Sequence, residues 1–292
     1  MTSTVLAAPA TVVPPRRVGI ARRFIANPQA AFATTLLLLI VGSAVFAPLV
    51  TAYPPDAIDA VNRFAGPSAR HWFGTDELGR DLFSRVVYGG RIALGIAAAA
   101  TLIATVLGVV WGFVAARAGG WVEEGMLRLV DVVMAIPIVM FALILVAAFG
   151  SSPVTLSVIA GLLLAPGTAR IARSAVLTEL ESDYSLAATS VGVPRLRLLF
   201  GEILPNTAPT LIARASLVAA DAIMIEASLS FLGLGVSPPD ASWGTLLREG
   251  YSHIFNSLSY VAFPGLMIFV AIWVFNTLGD RLQTTLDPRV PR

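Results

Sequence analysis

Long uncharged stretches alternate with shorter charged segments along the chain, and their lengths predict membrane-spanning helices. No charged residue lies between Arg23 and Asp56, which predicts a first span at about residues 30–50. The stretch from Ile92 to Ala116 is also uncharged. One helix needs about 20 apolar residues to cross a bilayer, so this stretch predicts the second span.

The stretch from Val132 to Ala169 is uncharged but too long for one span. The turn formers Gly150-Ser151-Ser152-Pro153 divide it near its middle, which predicts a hairpin of spans three and four. Span five is predicted at about 207–230 and span six at about 260–279. The pattern therefore indicates an all-α polytopic membrane protein with six transmembrane helices in one domain, residues 30–280.

Composition supports a protein that lies in lipid. The chain has 292 residues, of which 56% are hydrophobic and 13% charged, with a mean hydropathy of +0.79. Soluble domains carry about 25% charged residues. The length suffices for six spans and their connections.

The distribution of arginines predicts the orientation. With the N-terminus inside, thirteen arginines lie on the cytoplasmic side and six on the other, as the positive-inside rule requires. The tails 1–29 and 281–292 and the segment 173–205 are then cytoplasmic, and 52–90 and 232–258 are extracytoplasmic. The basic patch of the first tail (Arg16, Arg17, Arg22 and Arg23) comes too late for a cleavable signal peptide, and the following apolar run is span-length.

The residue inventory excludes several kinds of chemistry. The chain has no cysteine and no lysine, so it lacks a thiolate nucleophile, a lysine Schiff base and the lysine of a phosphate-binding loop. His71 and His253 are the only histidines and lie far apart, so we expect no metal site. We therefore expect a non-enzymatic chain without a cofactor, and any ATP and Mg²⁺ would be bound by another chain.

Charged residues inside predicted spans are the candidate functional groups of the membrane region, because they are costly in lipid. Arg214 and Asp221 lie seven residues apart on one helix face of span five, which permits either a wall of a translocation pathway or an inter-helix salt bridge. Glu226 is expected near the outer surface. Asp131 is expected to pair with a nearby arginine such as Arg128.

Gly108 and Gly112 lie four residues apart on the predicted second span. That spacing allows close approach of two helices and could mark a subunit interface. It is also common by chance in glycine-rich membrane helices, so the sequence alone does not decide.

The cytoplasmic segment 183–206 predicts two short helices with a turn between them. Gly192 supplies the positive φ that ends the first helix, and Pro194 begins the second. Ala187 and Ala188 lack bulk, so the first helix is expected to lie close against a partner. Pro205 marks the entrance to span five.

This segment resembles the Glu-Ala-Ala loop of binding-protein-dependent ABC importer permeases, on the spacing of Ala187, Ala188, Gly192, Leu204 and Pro205. In that family the loop docks into a groove of the ATPase subunit, which the resemblance implies for residues 183–206, beginning at Asp183. Two positions depart from the motif: its glutamate is Leu186 here, and its isoleucine three positions before the proline is Glu202. The alternative is an amphipathic helix lying on the membrane surface.

Three longer blocks, 71–94, 226–247 and 275–289, resemble the dipeptide, oligopeptide and nickel permeases, specifically their C-type subunit. The resemblance implies the type I ABC importer permease fold and transport of oligopeptides or dipeptides across a bacterial cytoplasmic (inner) membrane. It also implies a second homologous permease, two ABC ATPase subunits and an extracytoplasmic substrate-binding protein as partners, and no nucleic acid. A secondary transporter or channel, and a membrane enzyme, are the alternative classes.

Overall fold

The computed structural model describes residues 24, 26–237 and 239–286, with the backbone alone at Arg195. Over these residues the chain forms helices and no strand, with one isolated bridge between Thr75 and Asp81. The arginines of the predicted N-terminal tail and the residues after Leu286 lie outside the described part. The helices are α1 (Pro28–Val45), α2 (Ala47–Val50), α3 (Leu82–Ala118), α4 (Gly120–Ala135), α5 (Ile138–Phe149), α6 (Pro153–Leu180), α7 (Asp183–Ser190), α8 (Arg195–Leu198), α9 (Leu204–Leu229), α10 (Trp243–Ser252) and α11 (Leu258–Leu286).

Five helices are long and apolar enough to cross a membrane by themselves: α1, α3, α6, the run Leu196–Leu234 and α11. The α4 and α5 pair meets this criterion only when taken together, and it is bent by 87°. The count is therefore six if the bent pair is one span, as the sequence predicted.

The bend within the third span was not predicted from the sequence. Ile136 is extended (φ −86°, ψ 129°), as expected for a residue before proline, and Pro137 then begins the new direction. Helix α5 has 12 residues and is roughly 18 Å long, shorter than the ~30 Å hydrocarbon core. The predicted turn before Pro153 is confirmed, because α5 ends at Phe149 and α6 begins at Pro153.

Helices α3 and α6 extend well beyond the uncharged stretches that predicted them. Helix α3 has 37 residues and starts where Asp81 accepts a hydrogen bond from the backbone N–H of Ser84 (2.8 Å). Helix α6 continues to Leu180, and its arginines pair with carboxylates on α4: Arg170 with Asp131 and Arg173 with Glu123. Parts of the predicted loops 52–90 and 173–205 are therefore helical.

The most extensive helix packing among the described residues joins α3 to α6, and glycines make it possible. A Cβ atom added to Gly108 would lie 2.6 Å from Cβ of Thr168, and one added to Gly112 would lie 2.5 Å from the carbonyl oxygen of Ala169. Gly161 on α6 plays the same part from the other side, because its added Cβ would lie 2.7 Å from Cβ of Ile103 on α3. The glycine pair therefore packs against the chain's own α6, and this face does not form a subunit interface.

The two predicted extracytoplasmic segments pack together around a buried arginine. Arg85 is 3% exposed, and its Nη1 lies 2.7 Å from Oδ2 of the fully buried Asp76 and 2.9 Å from Oε2 of Glu249. The Tyr260 hydroxyl donates to the same Glu249 oxygen (2.7 Å). The segment 232–258, predicted only as an extracytoplasmic connection, contains α10, which this network joins to α3 and α11.

Packing of α3 on α6 gives a first prediction. Gly112→Ala should lower the free energy of unfolding by about 1–3 kcal/mol, because the new methyl group meets the backbone of α6 and the helices must separate. Gly95→Ala is the matched control on the same helix: its Cβ meets nothing within 4 Å, and alanine favours the helix. Thermal unfolding of the purified protein in detergent measures both. Equal midpoints for the two variants would contradict the packing.

Candidate functional site

Helix α7 is held against the end of α6. The hydroxyl of Tyr184 donates to Oε2 of Glu179 over 2.7 Å. Partial burial raises the pKa of Tyr184, and the hydrogen bond to Glu179 raises it further, so the phenol stays protonated as a donor at neutral pH. Asp183 is exposed in the first turn of α7, where its carboxylate interacts favourably with the helix dipole.

The turn after α7 has the predicted conformation. Gly192 has φ +80°, and its N–H donates to the carbonyl of Thr189 (3.0 Å). The N–H of Val193 donates to the carbonyl of Ala188 (3.1 Å). These two bonds form a Schellman motif, which ends the helix and directs the chain into α8. Helix α8 begins directly after Pro194, whose carbonyl accepts from Leu198.

The two alanines of α7 have different surroundings. Ala188 packs with Val193 against a small core made of Val176, Leu198, Leu199 and Ile203. Ala187 is exposed. Ala188 therefore contacts its own chain, whereas Ala187 faces outward.

Several apolar side chains of this segment are exposed. Leu186 is 56%, Val191 83%, Leu196 55% and Phe200 66% exposed. Together with Ala187 they form what we call the α7–α8 surface. Because exposed apolar groups gathered on one segment mark contact sites, this surface is available to lipid or to another protein.

The second short helix is not separate from span five. A π-helical turn, Leu199–Ile203, joins α8 to α9, and the N–H of Leu204 donates to the carbonyl of Leu199. Pro205 lies in the first turn of α9, where the π-helical turn accommodates its missing N–H. Leu204 and Pro205 thus begin α9 within a continuous helical run, and Glu202 is exposed on it.

Arg214 and Asp221 meet within α9. Nη2 of Arg214 lies 3.8 Å from Oδ2 of Asp221, and the two side chains are 17% and 40% exposed. The pair therefore lies on one helix and is not an inter-helix bridge. Both residues also line a cavity of about 370 Å³ between the α4–α5 bend, α6 and α9, so the pair is also part of a cavity wall.

Glu226 and Asp131 also find partners. Glu226 is 1% exposed and accepts a hydrogen bond from the Ser230 hydroxyl (2.7 Å), so its side chain is buried within the protein. Asp131 pairs with an arginine, as expected, but the partner is Arg170 on α6 and not Arg128. Arg128 instead pairs with Glu124 on its own helix (2.6 Å).

Sequence reasoning also missed residues that shape the cavity. Pro137 and Ile138 line it at the bend, and Gly167 lines it from α6. The available signals were a proline inside an uncharged stretch and the Pro166-Gly167 dipeptide, both of which interrupt regular helix packing.

Models of two protein families match the chain. Residues 105–292 match the binding-protein-dependent transport system inner membrane component, and residues 18–67 match the N-terminal TM domain of oligopeptide transport permease C. The two matches lie in sequence order.

Known proteins agree with these matches. The dipeptide transport system permease protein DppC of Alkalihalophilus pseudofirmus is 36% identical over 247 residues, covering 85% of this chain and 81% of that protein. The oligopeptide transport system permease protein OppC of Bacillus subtilis is 35% identical over 268 residues, covering 92% of this chain and 88% of that protein.

An inward-facing structure of the MetNI methionine ABC transporter superposes with a TM-score of 0.58 at 16% identity, covering 70% of this chain and 96% of that one. The likeness shows the type I ABC importer permease fold. The chain belongs to the family of inner membrane components of binding-protein-dependent transport systems.

Proposed function

We propose that this chain is a permease subunit of an ATP-driven ABC importer for oligopeptides or dipeptides, forming half of the translocation pathway. The observation that carries the proposal is 35–36% identity, over most of both chains, to permeases named for dipeptide and oligopeptide transport. The match of residues 18–67 to the oligopeptide permease model supports the same substrate class.

The remaining parts of the importer are supplied by partners. A second homologous permease completes the pathway, two ATPase subunits bind ATP and Mg²⁺, and an extracytoplasmic binding protein delivers the peptide. Absence of lysine from the chain supports this division, because the usual phosphate-binding loop requires one. The permease itself performs no covalent chemistry.

The α7–α8 surface is the proposed contact with an ATPase subunit. Its exposed side chains are apolar, and the Schellman turn at Gly192 fixes α7 relative to α8. The continuous run Leu196–Leu234 then leads from this surface to Arg214 and Asp221. If the ATPase displaced α7, the movement would therefore be transmitted to the cavity along α9.

The protein is proposed to lie in a bacterial cytoplasmic membrane with both termini inside. The support is the arginine distribution and the chain's own multi-pass helices. Residues 52–90 and 232–258 are then outside, and the α7–α8 surface is inside.

The orientation can be read with single cysteines, since the chain has none. In spheroplasts, an impermeant maleimide should label Ala69→Cys at once but should label Ser190→Cys only after permeabilisation. Both positions are exposed, so accessibility within the fold is matched. Labelling of Ser190→Cys in sealed spheroplasts, with Ala69→Cys protected, would reverse the topology.

Contact with the ATPase is tested by Val191→Asp. The residue is 83% exposed, so the variant should fold and insert normally. A carboxylate in a dry interface should reduce ATPase co-purification and peptide uptake at least about tenfold. Val61→Asp is the control, because Val61 is 91% exposed in a predicted extracytoplasmic segment. Normal assembly and uptake with Val191→Asp would remove the α7–α8 surface as the contact.

The turn is tested separately at Gly192. Space around it is open, so the effect of substitution comes from its positive φ alone. Gly192→Val should strain the turn by about 1–2 kcal/mol and lower uptake, whereas Gly192→Asn should be tolerated because asparagine adopts this conformation. Uptake and ATP hydrolysis stimulated by the loaded binding protein should be measured together. Identical values for the two variants would mean that the turn geometry has no part in coupling.

A further inference from the structure

The pairing of Arg214 with Asp221 is loose. Their closest N–O distance is 3.8 Å, longer than the 2.7–3.2 Å of a hydrogen-bonded pair. No described residue accepts a hydrogen bond from the buried Nε of Arg214. Both groups therefore retain capacity for another partner, which contrasts with the close contacts of Arg85.

The surroundings of this pair are otherwise apolar. Met134, Pro137, Ile138, Phe141 and Leu163 are among the residues that line the cavity with Arg214 and Asp221. Charges act more strongly in such surroundings than in water. Because Asp221 keeps 40% of its side chain exposed, the cavity is open and not sealed.

Two backbone features enlarge the site and favour an anion in it. A Cβ atom on Gly167 would lie 3.3 Å from Nη2 of Arg214, so the glycine leaves room for the guanidinium. Helix α5 begins at the cavity without a side-chain cap, since its N-cap is Pro137. The partial positive charge of this helix end adds to that of Arg214.

We propose that this cavity is a transient subsite for the charged termini of a peptide, with the terminal carboxylate bound by Arg214 and the terminal ammonium by Asp221. This proposal rests on the proposed peptide-import function. An empty site and a site holding a zwitterion are both electrically neutral, which avoids an uncompensated charge in the membrane. Release is favoured because Asp221 recaptures Arg214, so the site binds weakly enough for passage.

The first test uses the complete complex of both permeases, the ATPase subunits and the binding protein in proteoliposomes. Arg214→Gln and Asp221→Asn should lower the number of peptides transported per ATP hydrolysed by about tenfold, because the local attraction for the termini is lost. Arg128→Gln is the control, since Arg128 is 77% exposed and pairs only with Glu124. It should leave the ratio unchanged.

The second test measures the electrostatics of the cavity directly. Met224 lines the cavity and is 46% exposed, so Met224→Cys provides a single reactive group. The ratio of its labelling rates with anionic and cationic methanethiosulfonates of similar size should fall about tenfold in Arg214→Gln and rise in Asp221→Asn. Dialanine with free termini should slow labelling, and N-acetyl-dialanine amide should not.

The outcomes separate the two proposals. If the complex with the original sequence transports no peptide, the proposed function fails. If it transports peptides but the charge variants transport equally well and labelling ratios do not change, the subsite is overturned and the function stands. Should Arg214→Gln fail to assemble, Arg214→Lys, which keeps the charge, is compared with Asp221→Asn. The subsite is supported if Arg214→Lys keeps the labelling ratio of the original sequence and Asp221→Asn shifts it. Equal labelling ratios in the two variants overturn it.

Discussion

Close contact between α3 and α6 is the constraint on which the rest of the fold depends. Lipid tails are as apolar as leucine, so helices in a membrane are not driven together by hydrophobicity and must gain their stability from close packing. Gly108, Gly112 and Gly161 allow that packing, because any side chain at these positions would meet the facing helix. Helix α6, fixed in this way, then provides the arginines that hold α4 and one wall of the cavity. The bend at Pro137 lines a cavity together with α6 and α9, which is a setting in which irregular backbone is tolerated at membrane depth.

The charged pairs of the chain differ in how firmly they are held, and this difference separates structural groups from the candidate functional group. Asp76 and Arg85 are almost fully buried and joined at 2.7 Å, with further partners on α10 and α11. Removing one member of such a pair leaves an uncompensated buried charge, which makes the network a fixed part of the fold. Arg214 and Asp221 have neither the short distance nor, among the residues that the structure describes, additional partners. A pair of this kind can exchange partners at small cost, which a transport pathway needs and a structural bridge does not.

Much of the helical architecture could be predicted from uncharged stretches. The ends of these stretches, however, did not give the ends of the helices. Charge excludes a residue from hydrocarbon and does not stop a helix, so α3 and α6 continue past the predicted limits to residues capped or paired by their neighbours. The turn at Gly192 was predictable because positive φ is a local property of glycine. The partner of Asp131 was not, because sequence spacing identifies neighbours on one helix, whereas Arg170 approaches from another. The surroundings of Ala187 and Ala188 differ for the same reason: which face meets the chain's own core is decided by tertiary packing.

The helical run that begins at Leu196 and continues to a kink at Gly233 connects the two candidate sites. At 1.5 Å per residue, Arg214 lies roughly 27 Å along this helix from Leu196, and Asp221 roughly 10 Å further. A small rotation imposed at the α7–α8 surface would thus displace both charged groups against α5 and α6, which are held by other contacts. The π-helical turns Leu199–Ile203 and Ser230–Leu234 lie at the two ends of α9, where helical hydrogen bonds are least regular and local adjustment is easiest. If α9 moves as one body between them, a change at its α7–α8 end would alter the width of the cavity and the distance of Arg214 from the start of α5. The loose Arg214–Asp221 pair and the helix that carries it would then act together: the helix would transmit the movement, and the pair would respond by changing partners.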